Sequence, residues 1–145
     1  MVIDTRRDRP PDDGVAHACW VCLDAHDPHG AAATRTGCAC RGSAGYAHLS
    51  CLIAAARHKE GSFQACHDAW TTCPACKQQY HGPMELGMAQ TRWNDCHDRP
   101  EDDEERLSAL GALAATLRHT GRGRAALPLR RDLLATLRRI SWTTT

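Results

Sequence analysis

The chain has 145 residues, enough for one ordinary domain or two very small ones, and its formal net charge of +1 singles out no nucleic-acid partner; none is expected. With four Trp, two Tyr and one Phe it lacks the large side chains that build a sizeable core, and small domains in that position borrow stability from disulfides or metals. Nine cysteines could supply either, but the odd count and the charged, leaderless start MVIDTRRDRPPDDG favour reduced thiols in a soluble intracellular protein, cytoplasmic or nuclear.

In chain order, residues 1–16 come first, rich in Arg, Asp and Pro and nearly devoid of apolar side chains. They cannot bury enough surface to offset the entropy of ordering and are expected to form a disordered arm. Residues 17–80 hold eight of the nine cysteines. The ligand-type series there is Cys19, Cys22, Cys38, Cys40, His48, Cys51, Cys73 and Cys76, in which the pairs CWVC and CPAC bracket a CAC and an HLSC. Zinc takes four sulfur or imidazole ligands in a tetrahedron, and two cysteines separated by two residues reach one metal from a single turn. Eight such groups in four pairs imply two structural Zn²⁺ ions, each closed by protein, with no open position for a substrate. The spacing alone leaves open how the pairs share the two metals.

The composition then changes. From Pro83 the apolar positions recur at helical spacing, with Leu86, Ala89, Trp93 and Cys96 predicting a helix over 83–97 and Pro83 suited to its first turn. An acidic start in DRPEDDEERL and the stripe Leu107, Leu110, Leu113 and Leu117 predict a second helix, ending at HTGRG. A third carries Leu127, Leu133, Leu134, Leu137 and Ile140, and Pro128 predicts a late start or a kink in it. The longest strongly apolar run, residues 52–56, is far short of the about 20 residues a membrane span needs, so no membrane partner is expected. Cys66 and Cys96 remain, each followed by a histidine; they lie 30 residues apart on different elements, and no third metal site is expected from them. No Ser-His-Asp set, phosphate loop or paired-carboxylate site stands out, and no catalytic residue is assigned.

The stretch CACRGSAGYAHLSCL resembles the central motif of the RING-CH (RING-variant) zinc fingers of the membrane-associated RING-CH ubiquitin ligases, with a CxC, then a histidine, then a cysteine. The resemblance implies a small zinc-stabilised α+β fold, a cross-braced RING-variant finger over 17–80 followed by an α-helical hairpin. Cys19, Cys22, His48 and Cys51 would hold one zinc, and Cys38, Cys40, Cys73 and Cys76 the other. His48 would then bind through one ring nitrogen while a neighbour orients the other. The PHD finger has a similar ligand order, but the wide spacing from Cys40 to His48, the single residue between Cys38 and Cys40, and Trp70 placed three before Cys73 set it apart.

The family's function is implied in the same way. RING domains dock a ubiquitin-conjugating enzyme and hold its ubiquitin in a reactive pose for a protein substrate, without covalent chemistry of their own. Val21 matches the family's apolar contact, Pro74 its CPxC proline, and Lys77 its cationic position after the last ligand. Ala55 departs from it, standing where a Trp is common, and Trp70 is a candidate replacement from the other side. The transmembrane helices of the membrane-associated members have no counterpart here.

The segment 107–140 is similar to a tetratricopeptide repeat of the kinesin-light-chain variety, with Leu110, Leu113 and Ala114 on one helix, Gly121 at the turn, and Ala125, Ala126 and Leu129 on the next. This implies a helical hairpin over 101–141. A single repeat cannot bury its own face, so the tail is a truncated array, a hairpin docked on the finger, or half of an oligomer. The alternative to a ligase is therefore a non-catalytic scaffold that binds a partner protein through this tail.

Overall fold

A computed structural model describes residues 17–143; the arm expected at 1–16 lies outside the described residues. The first half is built from very short pieces. Strand β1 (Thr34–Arg35) pairs antiparallel with β2 (Tyr46–Ala47) in the register Thr34 to Ala47 and Arg35 to Tyr46, and a single 3₁₀ turn over Gly42–Gly45 leads into β2. A ladder this small has no independent stability. Helix α1 (Leu49–Arg57) follows directly, burying Leu52 and Ala56, one turn apart. Helix α2 (Phe63–Thr71) is capped by Ser62, whose hydroxyl accepts the Ala65 N–H at 3.1 Å, and buries Trp70.

The second half is helical. Helix α3 (Pro83–Cys96) starts on Pro83 at its first turn and ends one residue short of the span the sequence predicts. Helix α4 (Glu104–His119) begins after the capping Asp103, whose carboxylate accepts the Arg106 N–H at 2.9 Å. Glu104 and Glu105 in its first turn and Arg118 and His119 in its last complement the helix dipole. The chain reverses at Gly121, in the left-handed region at φ +80°, where Arg122 N–H reaches back to Leu117 O and Gly121 N–H to Arg118 O. Helix α5 (Gly123–Thr143) then runs with Pro128 inside it, so the late start expected from that proline does not occur. Residue 128 is near enough to the helix start that its ring forfeits one bond, to the Arg124 carbonyl, without ending the helix. No helix among the described residues is long and apolar enough to cross a membrane.

Two cores result, and α3 belongs to both. Met84 and Met88 join Cys19, Ala47, Leu52, Ala56, Trp70, Cys73 and Tyr80 in the first core. Ala89, with Leu86 and Trp93 beside it, joins Leu113, Leu117 and Ala126 in the second. Gly87 permits the close approach of α1 to α3, since a Cβ there would lie 2.7 Å from Leu49 Cδ2.

Candidate metal centre

The two CxxC pairs fold into the same knuckle. In the first, Leu23 N–H donates to Cys19 O (2.8 Å) and Cys19 N–H to Asp24 O (2.9 Å); in the second, Lys77 N–H donates to Cys73 O and Cys73 N–H to Gln78 O, both at 2.9 Å. The residue after each pair takes a left-handed conformation, Leu23 at φ 68° and Lys77 at φ 62°. That turn aims both sulfurs of a pair to one side. Non-glycine residues hold such a conformation only when their surroundings enforce it.

The knuckles lie in different clusters. Cys19, Cys22, His48 and Cys51 bring their ligand atoms within 4.8 Å of one another, and so do Cys38, Cys40, Cys73 and Cys76. Chain order alternates between the clusters, so a bound metal at each would tie distant segments across one another. Tetrahedral zinc with Zn–S near 2.3 Å has ligand-to-ligand edges of about 3.8 Å for two sulfurs, and slightly less for sulfur and nitrogen. Cys40 Sγ and Cys73 Sγ are 3.6 Å apart, and His48 Nδ1 stands 3.3 Å from Cys22 Sγ and 3.6 Å from Cys51 Sγ. His48 Nε2 lies 3.1 Å from Ala25 O, which as a carbonyl can only accept, so the ring proton sits on Nε2 and the Nδ1 lone pair faces the sulfurs. His48 N–H and Val21 N–H both approach Cys19 Sγ, at 3.3 and 3.4 Å. The two clusters fit two structural zinc ions.

The electrostatics of the thiols point the same way. Burial, aided by the neighbouring thiols of Cys73 and Cys38, pushes Cys40 up to about 12, and burial with Cys22 and Cys19 beside it does the same to Cys51. Burial also opposes ionisation of Cys76 and Cys19, but backbone N–H groups outweigh it: those of Gln78 and Ala39 bring Cys76 down to about 6, and those of Cys22, His48 and Val21 bring Cys19 to about 7. Each cluster therefore stabilises one thiolate at the expense of its neighbours. Only a cation among the sulfurs lets them ionise together.

A family model for the RING-variant domain matches residues 19–78. Residues 19–78 are a RING-variant domain. The match opens on the first knuckle, closes just after the second, and leaves α3, α4 and α5 outside it. No curated protein and no solved structure matches the chain.

Of the other residues singled out in the sequence, Val21, Pro74 and Lys77 are exposed, one on the first knuckle of the RING-variant domain and two on the second. Ala55 is exposed on α1. Trp70 is only 8% exposed and belongs to the first core, so it offers no surface anchor in place of the missing aromatic. Leu23, 77% exposed, escaped the sequence reading. Its signal was there: a large apolar residue directly after a CxxC pair, where the left-handed turn leaves nothing to cover it. Cys66 and Cys96 stand outside both clusters, the first against the Lys59 carbonyl and the second buried beside α4.

Proposed function

We propose that this RING-variant domain acts as a ubiquitin-protein ligase module in a reducing compartment, cytoplasm or nucleus. In this reading Cys19, Cys22, His48 and Cys51 hold one Zn²⁺ and Cys38, Cys40, Cys73 and Cys76 the other; the bound ions supply cross-links, not chemistry. The observation that carries the reading is the pair of exposed knuckle tips, Val21 and Leu23 on one and Pro74 and Lys77 on the other, on a domain whose other exposed large apolar side chain among the described residues is Phe63. Val21, Leu23 and Pro74 would supply an apolar patch for a ubiquitin-conjugating enzyme. Lys77 would supply a cation toward its ubiquitin. Catalysis is then by positioning, with a protein substrate held elsewhere on the chain.

The test is ubiquitin transfer in vitro with a panel of conjugating enzymes. Ubiquitin chains are expected from the wild type and a loss of tenfold or more from Val21→Ala and Lys77→Ala, whose exposed positions leave the fold intact. Zinc-loaded, folded protein inactive with every enzyme would overturn the reading. A second reading has an observation of its own. Ala55 leaves the α1 face without a large aromatic, and loss of such an anchor from a small interface costs about 2 kcal/mol or more. This favours a zinc-finger scaffold in which the α4–α5 hairpin, of tetratricopeptide type, binds a partner protein.

A further inference from the structure

A cleft of about 270 Å³ runs between the RING-variant domain and the helical tail, where neither zinc cluster reaches. One wall comes from α2 and the segment after the second knuckle, with His67, Trp70 and Tyr80. The facing wall is α4, with Ala112 and Ala115, and Ala89 of α3 lies between. The two walls differ in chemistry. The α4 wall presents Gly111, Ala112 and Ala115 beside Ser108, Thr116 and His119, and the opposite wall carries hydrogen-bond donors with no partner among the described residues.

Arg92 Nη1 lies 2.9 Å from His67 Nδ1, and a guanidinium can only donate, so Nδ1 is the acceptor and the ring proton is on Nε2. That Nε2–H makes no hydrogen bond among the described residues. The same is true of the Trp70 indole N–H and the Tyr80 hydroxyl, although Trp70 is 8% and Tyr80 2% exposed. Neither atom is sealed off in the way that Trp20 Nε1 is. Donors that keep contact with solvent inside a cleft can exchange a water for an acceptor on a ligand. The carboxylates at or beside the cleft are already engaged. Glu85 Oε1 takes the Thr116 hydroxyl and His119 Nδ1, both at 3.2 Å, and Glu105 is held by Arg92 at 2.7 and 3.1 Å.

We propose that this cleft binds a short peptide segment, placing one mid-sized apolar side chain against Ala89, Ala112 and Ala115 and acceptor oxygens of the peptide on the donors of His67, Trp70 and Tyr80. A peptide carbonyl or carboxylate next to a leucine-like side chain offers both features at adjacent atoms. The volume suits it, since an apolar cavity of roughly 150 Å³ already accepts benzene, while drug-sized ligands need about 300 Å³ or more. The site is a property of the junction between finger and tail and does not depend on ligase action.

The experiment uses the full, zinc-loaded chain labelled with ¹⁵N and titrated at millimolar concentration with N-acetyl-leucine amide and, separately, with N-acetyl-leucine. The indole N–H resonance that disappears in Trp70→Phe identifies the reporter. Saturable shift of that resonance is expected with at least one probe; tighter binding of the amide assigns an internal segment, and tighter binding of the acid a C-terminus. Tyr80→Phe is expected to weaken binding about threefold to tenfold, the worth of one neutral hydrogen bond. Ala112→Phe, and independently Ala115→Leu, fill the cleft and are expected to abolish the shift while the protein keeps two equivalents of zinc. No shift with either probe, or a shift unchanged in a cleft-filled variant that still holds its zinc, overturns the proposal and leaves the cleft as a pocket of water.

Discussion

The two halves of this molecule are held together by different forces. In the RING-variant domain the strands are two residues long, α1 and α2 span nine residues each, and the core sets Cys19 and Cys73 among Leu52, Trp70 and Tyr80. In the tail the helices run from 14 to 21 residues and the core is leucine and alanine. Apolar burial at about 25 cal/mol per Å² acts in both halves, but the finger's short elements need metal cross-links in addition, whereas the tail's long helices do not. A chain poor in aromatic residues has put its ligands where the secondary structure is shortest. Helix α3 faces both ways, with Met84 and Met88 turned to one core and Ala89 to the other, so the halves are coupled although the metal ligands lie in only one of them.

Removing the metal is the strongest way to break that comparison. Structural zinc contributes about 10–16 kcal/mol in small fingers. Chelation with EDTA, or Cys22→Ser or Cys76→Ser, is expected to unfold residues 19–78 while a substantial part of the far-ultraviolet helical signal, from α4 and α5, survives. Elemental analysis of the untreated protein should give two equivalents of Zn²⁺. If chelation left cooperative melting of the whole chain unchanged, the division of labour between the halves would be wrong.

The next largest effect is expected at the seam. Arg92 is 1% exposed and donates to Glu105 and Ser108 of α4 and to His67 of α2, tying three helices with one guanidinium. Arg92→Ala leaves the Glu105 carboxylate and the His67 acceptor without their partner, and breaking a buried pair this way costs about 3–5 kcal/mol. Chemical denaturation should show the loss, and it should separate one transition into two. Loss without separation would mean that the Met84 and Met88 contacts alone couple the halves.

These elements also mark what could be read from the chain. The eight clustered residues were legible because metal chemistry restricts both residue type and spacing, and the alternation of the two clusters followed from the family resemblance. The leucine stripe of α4 and the turn at Gly121 were legible because the tail is amphipathic at a regular period. Helices α1 and α2 were not, since LSCLIAAAR and FQACHDAWT mix small and polar residues and take their direction from the neighbouring ligands and the Ser62 cap. The tail-facing positions Leu86, Ala89 and Trp93 of α3 were found, but its second face, Met84, Met88 and Arg92, was missed. A helix buried on two sides has no clean polar face, and nothing in the sequence pairs Arg92 with Glu105, 13 residues away. Trp70 was a candidate replacement for the missing aromatic and proved to be buried, because spacing cannot tell which side of a nine-residue helix is covered.

The smallest expected effect sharpens the comparison by adding pH. Burial, reinforced by the Arg92 charge, holds His67 below its ordinary value of 6.5. The native state thus binds this proton less readily than the unfolded chain does. The stability it carries is fully present above pH 6.5 and is lost as pH falls from there through the lowered native value. Acid also protonates the zinc ligands, so the wild type alone cannot report it. His67→Gln supplies an acceptor for Arg92 but no titrating group, and it leaves both metal clusters untouched. Denaturation midpoints for the two proteins are expected to converge between pH 7 and pH 5, because the wild type loses the His67 contribution in addition to whatever the metal sites lose. Parallel curves over that range would mean that His67 takes up its proton as readily in the folded protein as outside it, and that the Arg92 seam is more open to solvent than its burial indicates.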